Sequence, residues 1–212
     1  MILSVSRLVA ATVLFAATAQ AQQMGQEAAM ARAQRDSARL PWTTADVQFM
    51  QGMIHHHAQA IEMCKWAPTH GASPQVQTLC GRVINAQGDE IALMSQWLRD
   101  RRQDVPAPTA TTMKMMMNGK EMDMLMPGML SPEQMQQLDA ARGQAWDKLF
   151  LQDMIQHHKG AVSMVHDLFE TQGAGQDETV FKFASDVNVD QTTEITRMEK
   201  MLFALTIEGN GQ

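Results

Sequence analysis

One pattern occurs twice in this chain: Asp46-x-x-Phe49-x-Gln51-x-Met53-Ile54-x-His56-His57-x-x-Ala60-x-x-Met63 returns, 101 positions later, as Asp147-x-x-Phe150-x-Gln152-x-Met154-Ile155-x-His157-His158-x-x-Ala161-x-x-Met164. Nine of the eighteen positions are identical, with no gap. A second pair follows, in which Gln87-x-x-Glu90-Ile91-x-x-Met94-x-x-x-Leu98 matches Gln191-x-x-Glu194-Ile195-x-x-Met198-x-x-x-Leu202. An internal repeat defines the architectural unit, so the chain is expected to consist of two similar halves.

The composition and the spacing of apolar residues predict that each half is a helical hairpin. Ala, Gln, Met, Leu and Glu dominate, and the β-branched residues do not alternate. The predicted helices begin at Thr43 or Thr44, after Ser73, after Ser131 and near Asp177, and they end near residues 67, 102, 171 and 205. Two hairpins that cannot bury their apolar stripes alone should pack together. The sequence therefore predicts an all-α four-helix bundle over residues 43–207, with hairpins 43–102 and 131–207 joined by a crossover, 103–130.

The N-terminal residues predict export. Arg7, the apolar run Leu8–Ala17 and the small-x-small site ending at Ala21 are typical of a signal peptide over residues 1–21. The run is well short of the roughly 20 residues that a membrane span needs, so no stable membrane anchor is expected. Residues 22–42 form an N-terminal extension. The protein is expected to be periplasmic or secreted. Its scattered basic residues and formal charge of −6 do not favour binding to nucleic acid.

The repeated stripe carries side chains that bind metals. On the first helix of each predicted hairpin, Met, His, Ala and Met follow one another at a spacing of 3, 4 and 3 residues. This spacing places their side chains on the face that contacts a partner helix. Methionine alone is adequately explained as core filling, but paired histidines on an inward stripe need partners. The alternative is a set of histidines satisfied within the core. Metal binding is the preferred interpretation, and the candidate ligands are Met53, His56, His57, Met63, Met154, His157, His158 and Met164.

The second helix of each hairpin supplies candidate partners for these histidines. Gln87 and Glu90, with Gln191 and Glu194, fall beside the stripe when residues are counted back from each turn. An oxygen that accepts the free imidazole N–H would fix the tautomer that binds metal. The alternative interpretation is an exposed polar face. Asp46 and Asp147 lie near the starts of their helices, and their negative charges are interpreted as stabilising the helix N-termini through the helix dipole.

The methionine thioethers among the candidate ligands indicate which metal is preferred. The chain has no Glu-x-x-His, Cys-x-x-Cys or His-Glu-x-x-His motif, which argues against di-iron and zinc sites. Thioether with imidazole favours copper, and Cu(I) in particular. The crossover has eight methionines in seventeen residues, although a hydrophobic flap or biased composition would also explain them. The possible accessory ligands are Met94, Met198, Met113, Met115, Met116, Met117, Met122, Met124 and Met126.

Two cysteines, Cys64 and Cys80, flank the first turn. Antiparallel helices would bring them to a similar height, and an exported protein favours a disulfide. The resulting loop would stabilise the chain by roughly 3 kcal/mol in the chain-entropy description. The alternative is that one thiolate binds metal.

The quoted motifs, together with Met126-x-Gly128-Met129-x-Ser131, resemble the DUF 305 family over nearly the whole predicted mature chain. The resemblance implies an exported, ferritin-like four-helix bundle, and the family includes copper-binding proteins of the CopM type. It implies copper or another metal as the bound group, held for tolerance. The halves differ at Asp190, where the first half has Ala86, and at His55, where the second half has Gln156.

Three functions remain open from the sequence. The first is a non-enzymatic protein that sequesters Cu(I) or exchanges it with a donor or acceptor protein. The second is a redox enzyme, such as a cuprous oxidase or a peroxide-handling protein, although no general base or cofactor motif indicates one. The third is an interaction or scaffold bundle that binds no metal. The sequence favours the first.

Overall fold

A computed structural model of the protein describes residues 24–28, 30, 42–117 and 120–209. The chain divides into two units, residues 1–40 and 41–212. In the first unit the described residues are helical, and the predicted signal peptide, 1–21, lies outside the described residues. In the part of the chain that is described, no helix combines the length and the apolarity that a membrane span requires.

The second unit is the predicted four-helix bundle, formed by two antiparallel hairpins. Its elements, in chain order, are α1 Thr44–Lys65, α2 Pro74–Asp100, β1 Met113–Met117, β2 Lys120–Met124, α3 Pro132–Ala140, α4 Gly143–Glu170 and α5 Glu178–Gly209. Helix α1 packs on α2, α4 packs on α5, and the two hairpins meet mainly through α1 and α4. The all-α fold predicted from the repeat is confirmed.

Local sequence explains where these helices begin. Thr43 caps α1 in a reciprocal capping box with Asp46, and Ser131 does the same for α3 with Gln134. Helix α2 has Pro74 at its first position, as predicted, but the Ser73 side chain makes no capping bond. Instead, the Ser73 backbone N–H donates to the carboxylate of Asp147, at 3.1 Å and 3.2 Å from its two oxygens.

The two repeated aspartates join the hairpins. Asp147, near the start of α4, accepts the N–H that precedes α2, while Asp46, near the start of α1, accepts the Gly175 N–H at 2.7 Å, just before α5. Both carboxylates are buried. Each hairpin therefore fixes the turn of the other, which is more than the helix-dipole role expected from the sequence. The contacts also show that α1 and α4 run antiparallel.

Two predictions about the second half of the chain were incomplete. The expected continuous helix from Ser131 to about residue 171 is broken at Ala141–Arg142, because both residues are extended and Gly143 has a φ of +58°. The Gly143 N–H donates to the His70 carbonyl at 2.8 Å, so a contact between hairpins fixes the break. The crossover also contains a two-stranded antiparallel hairpin, β1–β2, which the sequence analysis did not predict.

The bundle interior forms two groups of buried side chains. One group includes Met53, Met94 and Phe183, and the other includes Met63 and Trp146. Because apolar stripes from all four long helices contribute, burial of this surface is the main stabilising term. Between the two groups lie the paired histidines.

Candidate metal centre

Helices α1 and α4 cross at the repeated histidines. His56, His57, His157 and His158 are all fully buried. The ring centroids of His56 and His157, one from each helix, are 3.7 Å apart with their planes inclined by 40°. Ala60 and Ala161 are also fully buried, and their small side chains leave room for the opposed imidazoles. The two halves therefore bring their histidines into one cluster, called the imidazole cluster below.

Each of the outer histidines contacts a glutamate from the second helix of its own hairpin. Nε2 of His57 lies 2.7 Å from Oε2 of Glu90, and Nε2 of His158 lies 2.7 Å from Oε2 of Glu194. The His158 contact is a hydrogen bond, whereas the His57 contact has the same length at an angle unfavourable for one. Both glutamate side chains are 23% exposed. The structure thus brings together the histidine–glutamate pairs expected from the second repeat.

The hydrogen bonds fix which nitrogens carry lone pairs. An ionised carboxylate and a backbone carbonyl can only accept, so Nε2 of His158 carries a proton, and so does Nε2 of His56, which lies 3.1 Å from the Pro127 carbonyl oxygen. In a neutral ring, a proton on Nε2 leaves the lone pair on Nδ1. Among the described residues, Nδ1 of His56 and His158, and both ring nitrogens of His57 and His157, have no hydrogen-bond partner. Buried polar atoms without partners are costly.

Burial keeps the inner histidines neutral. It lowers the pKa of His56 well below its usual value, and the neighbouring imidazoles of His57 and His158 lower it further. Burial likewise lowers the pKa of His157, with smaller contributions from His56, His158 and His57. Metal binding requires the unprotonated ring. These two imidazoles therefore need not lose a proton at neutral pH before they can bind a metal.

Methionines lie at both ends of the imidazole cluster. Met53, Met94 and Met164 belong to one buried group, and Met63, Met154 and Met198 belong to the other. A methyl group added at Gly52 would lie 2.9 Å from the sulfur of Met126 and 3.3 Å from Cε of Met164, so those two side chains also approach this end. All four methionines of the predicted stripe are buried.

A loop from the crossover covers one side of the imidazole cluster. It comprises residues 126–130 and is called the cover loop below. The carboxamide of Gln59 makes two bonds to the Leu130 backbone, at 2.7 Å and 3.0 Å. Gly160 permits the close approach, because a Cβ there would lie 1.9 Å from the Pro127 carbonyl oxygen. Together with the His56 contact, these bonds hold the cover loop against both α1 and α4.

Sequence reasoning missed two features of the cover loop. Met129 is buried, and its sulfur accepts the Met126 backbone N–H at 3.2 Å. Gln59 was not singled out either, although the repeat carried a signal: Gly160 occupies the matching position in the second half. A large polar residue in one copy and a glycine in the other indicate that a third segment of the chain packs differently against the two helices. That segment is the cover loop.

The remaining crossover methionines lie in or beside the β-hairpin. The register pairs Met113 with Met124 and Met115 with Met122. The side chains of residues 113–123 lie outside the described part of the structure, so the accessory-ligand prediction for Met113, Met115, Met116, Met117 and Met122 stays a prediction. Met124 and Met126 are partly buried.

Cys64 and Cys80 are adjacent and buried, but in this structure they are free thiols. The disulfide between them stays a prediction. The hairpin turn brings the two side chains into hydrogen-bond contact within the apolar core, where they pack as small hydrophobic groups. Burial raises the pKa of the Cys64 thiol well above its usual range, and Cys80 and Glu194 add to the shift. A protonated thiol is a poor metal ligand, which weighs against the thiolate alternative.

The chemistry of the donors limits which metal would fit. Among the described residues, no three His, Cys, Asp or Glu side chains are arranged to hold a metal ion. Methionine sulfur from the two flanking buried groups is the donor available to complete a site at the imidazole cluster. Imidazole with thioether suits a soft or borderline ion, whereas Mg²⁺ and Ca²⁺ require oxygen. The unpartnered nitrogens and the flanking sulfurs fit such an ion.

The fold and the cluster define an α-helical bundle with a buried, two-fold repeated set of histidines and methionines. Residues 46–202 match the family described as "Domain of unknown function (DUF305)", so the chain belongs to the DUF305 family. An uncharacterised protein of Acanthamoeba polyphaga mimivirus is 37% identical over 57 residues, which is 27% of this chain and 38% of that protein.

Solved structures of two DUF305 proteins and of CopM share the fold. A DUF305 protein of Streptomyces coelicolor, described as secreted, has a TM-score of 0.63 at 25% identity, covering 76% of this chain and 94% of its own. A DUF305 fragment from Deinococcus radiodurans gives 0.63 and 25%, covering 77% and 99%. CopM in its Cu(I)-bound form gives 0.55 and 26%, covering 76% and 96%. CopM is similar in its Cu(II)-bound and Ag-bound forms as well.

Proposed function

We propose that the protein is an exported metal-binding protein that holds copper, preferentially Cu(I), at the imidazole cluster and its flanking methionines. The observation that carries this proposal is the set of buried imidazole nitrogens without partners, between two groups of buried methionines. A soft cation would pair with these nitrogens and remove the cost of leaving them unsatisfied.

The proposed ligands are the eight residues of the repeated stripe. Glu194 would orient the His158 ring by accepting from its Nε2, leaving Nδ1 to the metal. Glu90 lies at the same distance from Nε2 of His57 and would restrict that ring through the ion-pair contact. CopM, which is similar over three quarters of this chain, is known in copper-bound and silver-bound forms, and this supports a soft metal. The cargo would be stored, or exchanged with a donor or acceptor protein, and no turnover is expected.

The test is competition for Cu(I) between the mature protein and a chromogenic cuprous chelator. The wild type is expected to remove copper from the chelator, and a variant with His56, His57, His157 and His158 changed to alanine is expected to lose this ability. His166→Ala is the matched control, because that histidine is exposed. Circular dichroism establishes that each variant keeps its helices.

A second variant tests the role of sulfur. Changing the four stripe methionines to leucine keeps their volume but removes the thioether, so Cu(I) affinity should fall while the fold remains. A third variant lacks residues 113–124 and tests the crossover. If the histidine variant competes as well as the wild type, copper does not bind at the imidazole cluster and the proposal is wrong.

A further inference from the structure

A cavity whose lining includes three carboxylates lies on the side of the imidazole cluster that faces helices α2 and α5. Its volume is about 210 Å³, and it is lined by the second repeat, including Gln87 and Glu90 of α2 with Gln191 and Glu194 of α5. The two glutamates are the ones that contact His57 and His158. The cavity is therefore separated from the buried imidazoles by one layer of carboxylates.

Two of the residues that line the cavity each have a buried oxygen atom without a partner. Gln87 and Gln191 are 3% and 4% exposed, and Oε1 of each has no hydrogen bond among the described residues. A buried carboxamide oxygen without a donor is unfavourable. The same unsatisfied atom occurs at matching positions of both halves. The cavity is therefore expected to hold a cation, which these oxygens coordinate directly or through hydrogen bonds from its bound water.

The charge of the cavity also favours a cation. Glu90, Asp190 and Glu194 line it, and the one basic residue in its wall is Arg197, which is exposed. Burial raises the pKa of Asp190, and the negative charges of Glu90, Asp186 and Glu194 raise it further. Asp190 is where the second half departs from Ala86 of the first. Asp190 thus adds an exposed carboxylate to a cavity that Glu90 and Glu194 already make acidic.

We propose that this cavity is a second metal site, which binds a hydrated divalent cation through the oxygens of Glu90, Asp190, Glu194, Gln87 and Gln191. Oxygen donors of this kind suit hard divalent ions. Since no three carboxylates or histidines converge on one point among the described residues, the ion keeps part of its water shell. The site differs from the imidazole cluster in donor chemistry, and it does not depend on copper binding there.

The test uses Mn²⁺ as a paramagnetic probe of the metal-free protein. Nuclear magnetic resonance should show selective broadening of the side-chain amide signals of Gln87 and Gln191 at substoichiometric Mn²⁺. In Asp190→Ala the affinity for Mn²⁺ should fall about three- to tenfold, as expected for loss of one partly exposed carboxylate from a divalent ion. Asp186→Ala is the matched control, because it removes the same charge one turn earlier, outside the cavity.

Broadening spread over exposed carboxylates across the surface would overturn the proposal, and so would equal losses of affinity in the two aspartate variants. The double variant Met53→Leu, Met154→Leu separates this result from the copper proposal. It removes sulfur from the imidazole cluster and leaves the cavity intact, so its Mn²⁺ titration should match that of the wild type. If Cu(I) fails to bind while Mn²⁺ still broadens the two glutamines, only the proposed function is wrong.

Discussion

The buried imidazoles of His56 and His157 make the stability of the metal-free protein depend on pH in a predictable direction. In the unfolded chain an ordinary histidine has a pKa of about 6.5, whereas burial holds both pKa values well below this in the folded protein. As the pH falls through 6.5, the unfolded chain takes up protons that the folded protein refuses. The free energy of unfolding therefore decreases with falling pH.

The size of the effect follows from the number of groups. Each such histidine contributes up to about 1.4 kcal/mol per pH unit below 6.5, so the pair contributes about 2.7 kcal/mol per unit while both remain neutral. Asp153 opposes them at lower pH, because burial raises its pKa to about 6. Between pH 7.5 and 5.5 the pair should cost about 2–3 kcal/mol, a large part of the stability of a typical domain.

Urea denaturation of the metal-free protein at pH 7.5, 6.5 and 5.5 measures this dependence. The variant His56→Gln, His157→Gln keeps polar side chains but cannot titrate, so subtracting its curve from the wild-type curve removes Asp153 and every other shared group. The difference should change by about 2–3 kcal/mol across the range. A difference that stays constant within 0.5 kcal/mol, on the order of the error of such measurements, would refute the argument that these imidazoles are neutral because they are buried.

Two further predictions concern single residues. Gly160→Ala places a methyl group within 1.9 Å of the Pro127 carbonyl oxygen, so the cover loop must move; we expect a loss of about 2–4 kcal/mol in urea denaturation, whereas the control Gly88→Ala, with nothing within 4 Å, should be neutral or stabilising. Asp153→Asn removes a carboxylate whose pKa burial raises to about 6, so its charge destabilises the folded protein at neutral pH. Thermal melts should show a gain of up to about 3 kcal/mol at pH 7.5 and only about 0.5 kcal/mol at pH 4, and an equal effect at both pH values would contradict the raised pKa of Asp153.

The sequence was sufficient to predict the bundle because the repeat supplied information that a single copy lacks. Nine shared positions identified the inward stripe, and the second repeat identified Glu90 and Glu194 as neighbours of the histidines. Helix boundaries followed from local signals, such as Thr43 and the Ser131 capping box. Helix boundaries and contacts within one hairpin could therefore be predicted from the sequence.

Contacts between hairpins were not accessible in the same way. The break before α4 depends on the His70 carbonyl accepting the Gly143 N–H. No pattern in residues 131–143 indicates that this partner lies 73 positions earlier in the chain. The cover loop is similar: its bonds to Gln59 and its fit against Gly160 require the hairpins to be docked first. Non-local hydrogen bonds have no periodicity, so pattern analysis cannot detect them.

The differences between the two copies of the repeat have a common physical cause. Gly52, His55 and Gln59 of the first copy meet crossover residues: Met126, the Ala110 carbonyl and Leu130 respectively. In the second copy Gln156 donates to the Gly128 carbonyl, and Gly160 accommodates Pro127. A single crossover connects the two hairpins and contacts the two copies through different residues. The residues that touch it therefore differ between the copies. The histidines and stripe methionines face the axis and stay identical. Covering one side of the imidazole cluster leaves the α2–α5 side, with its acidic cavity, as the side from which a cation could approach.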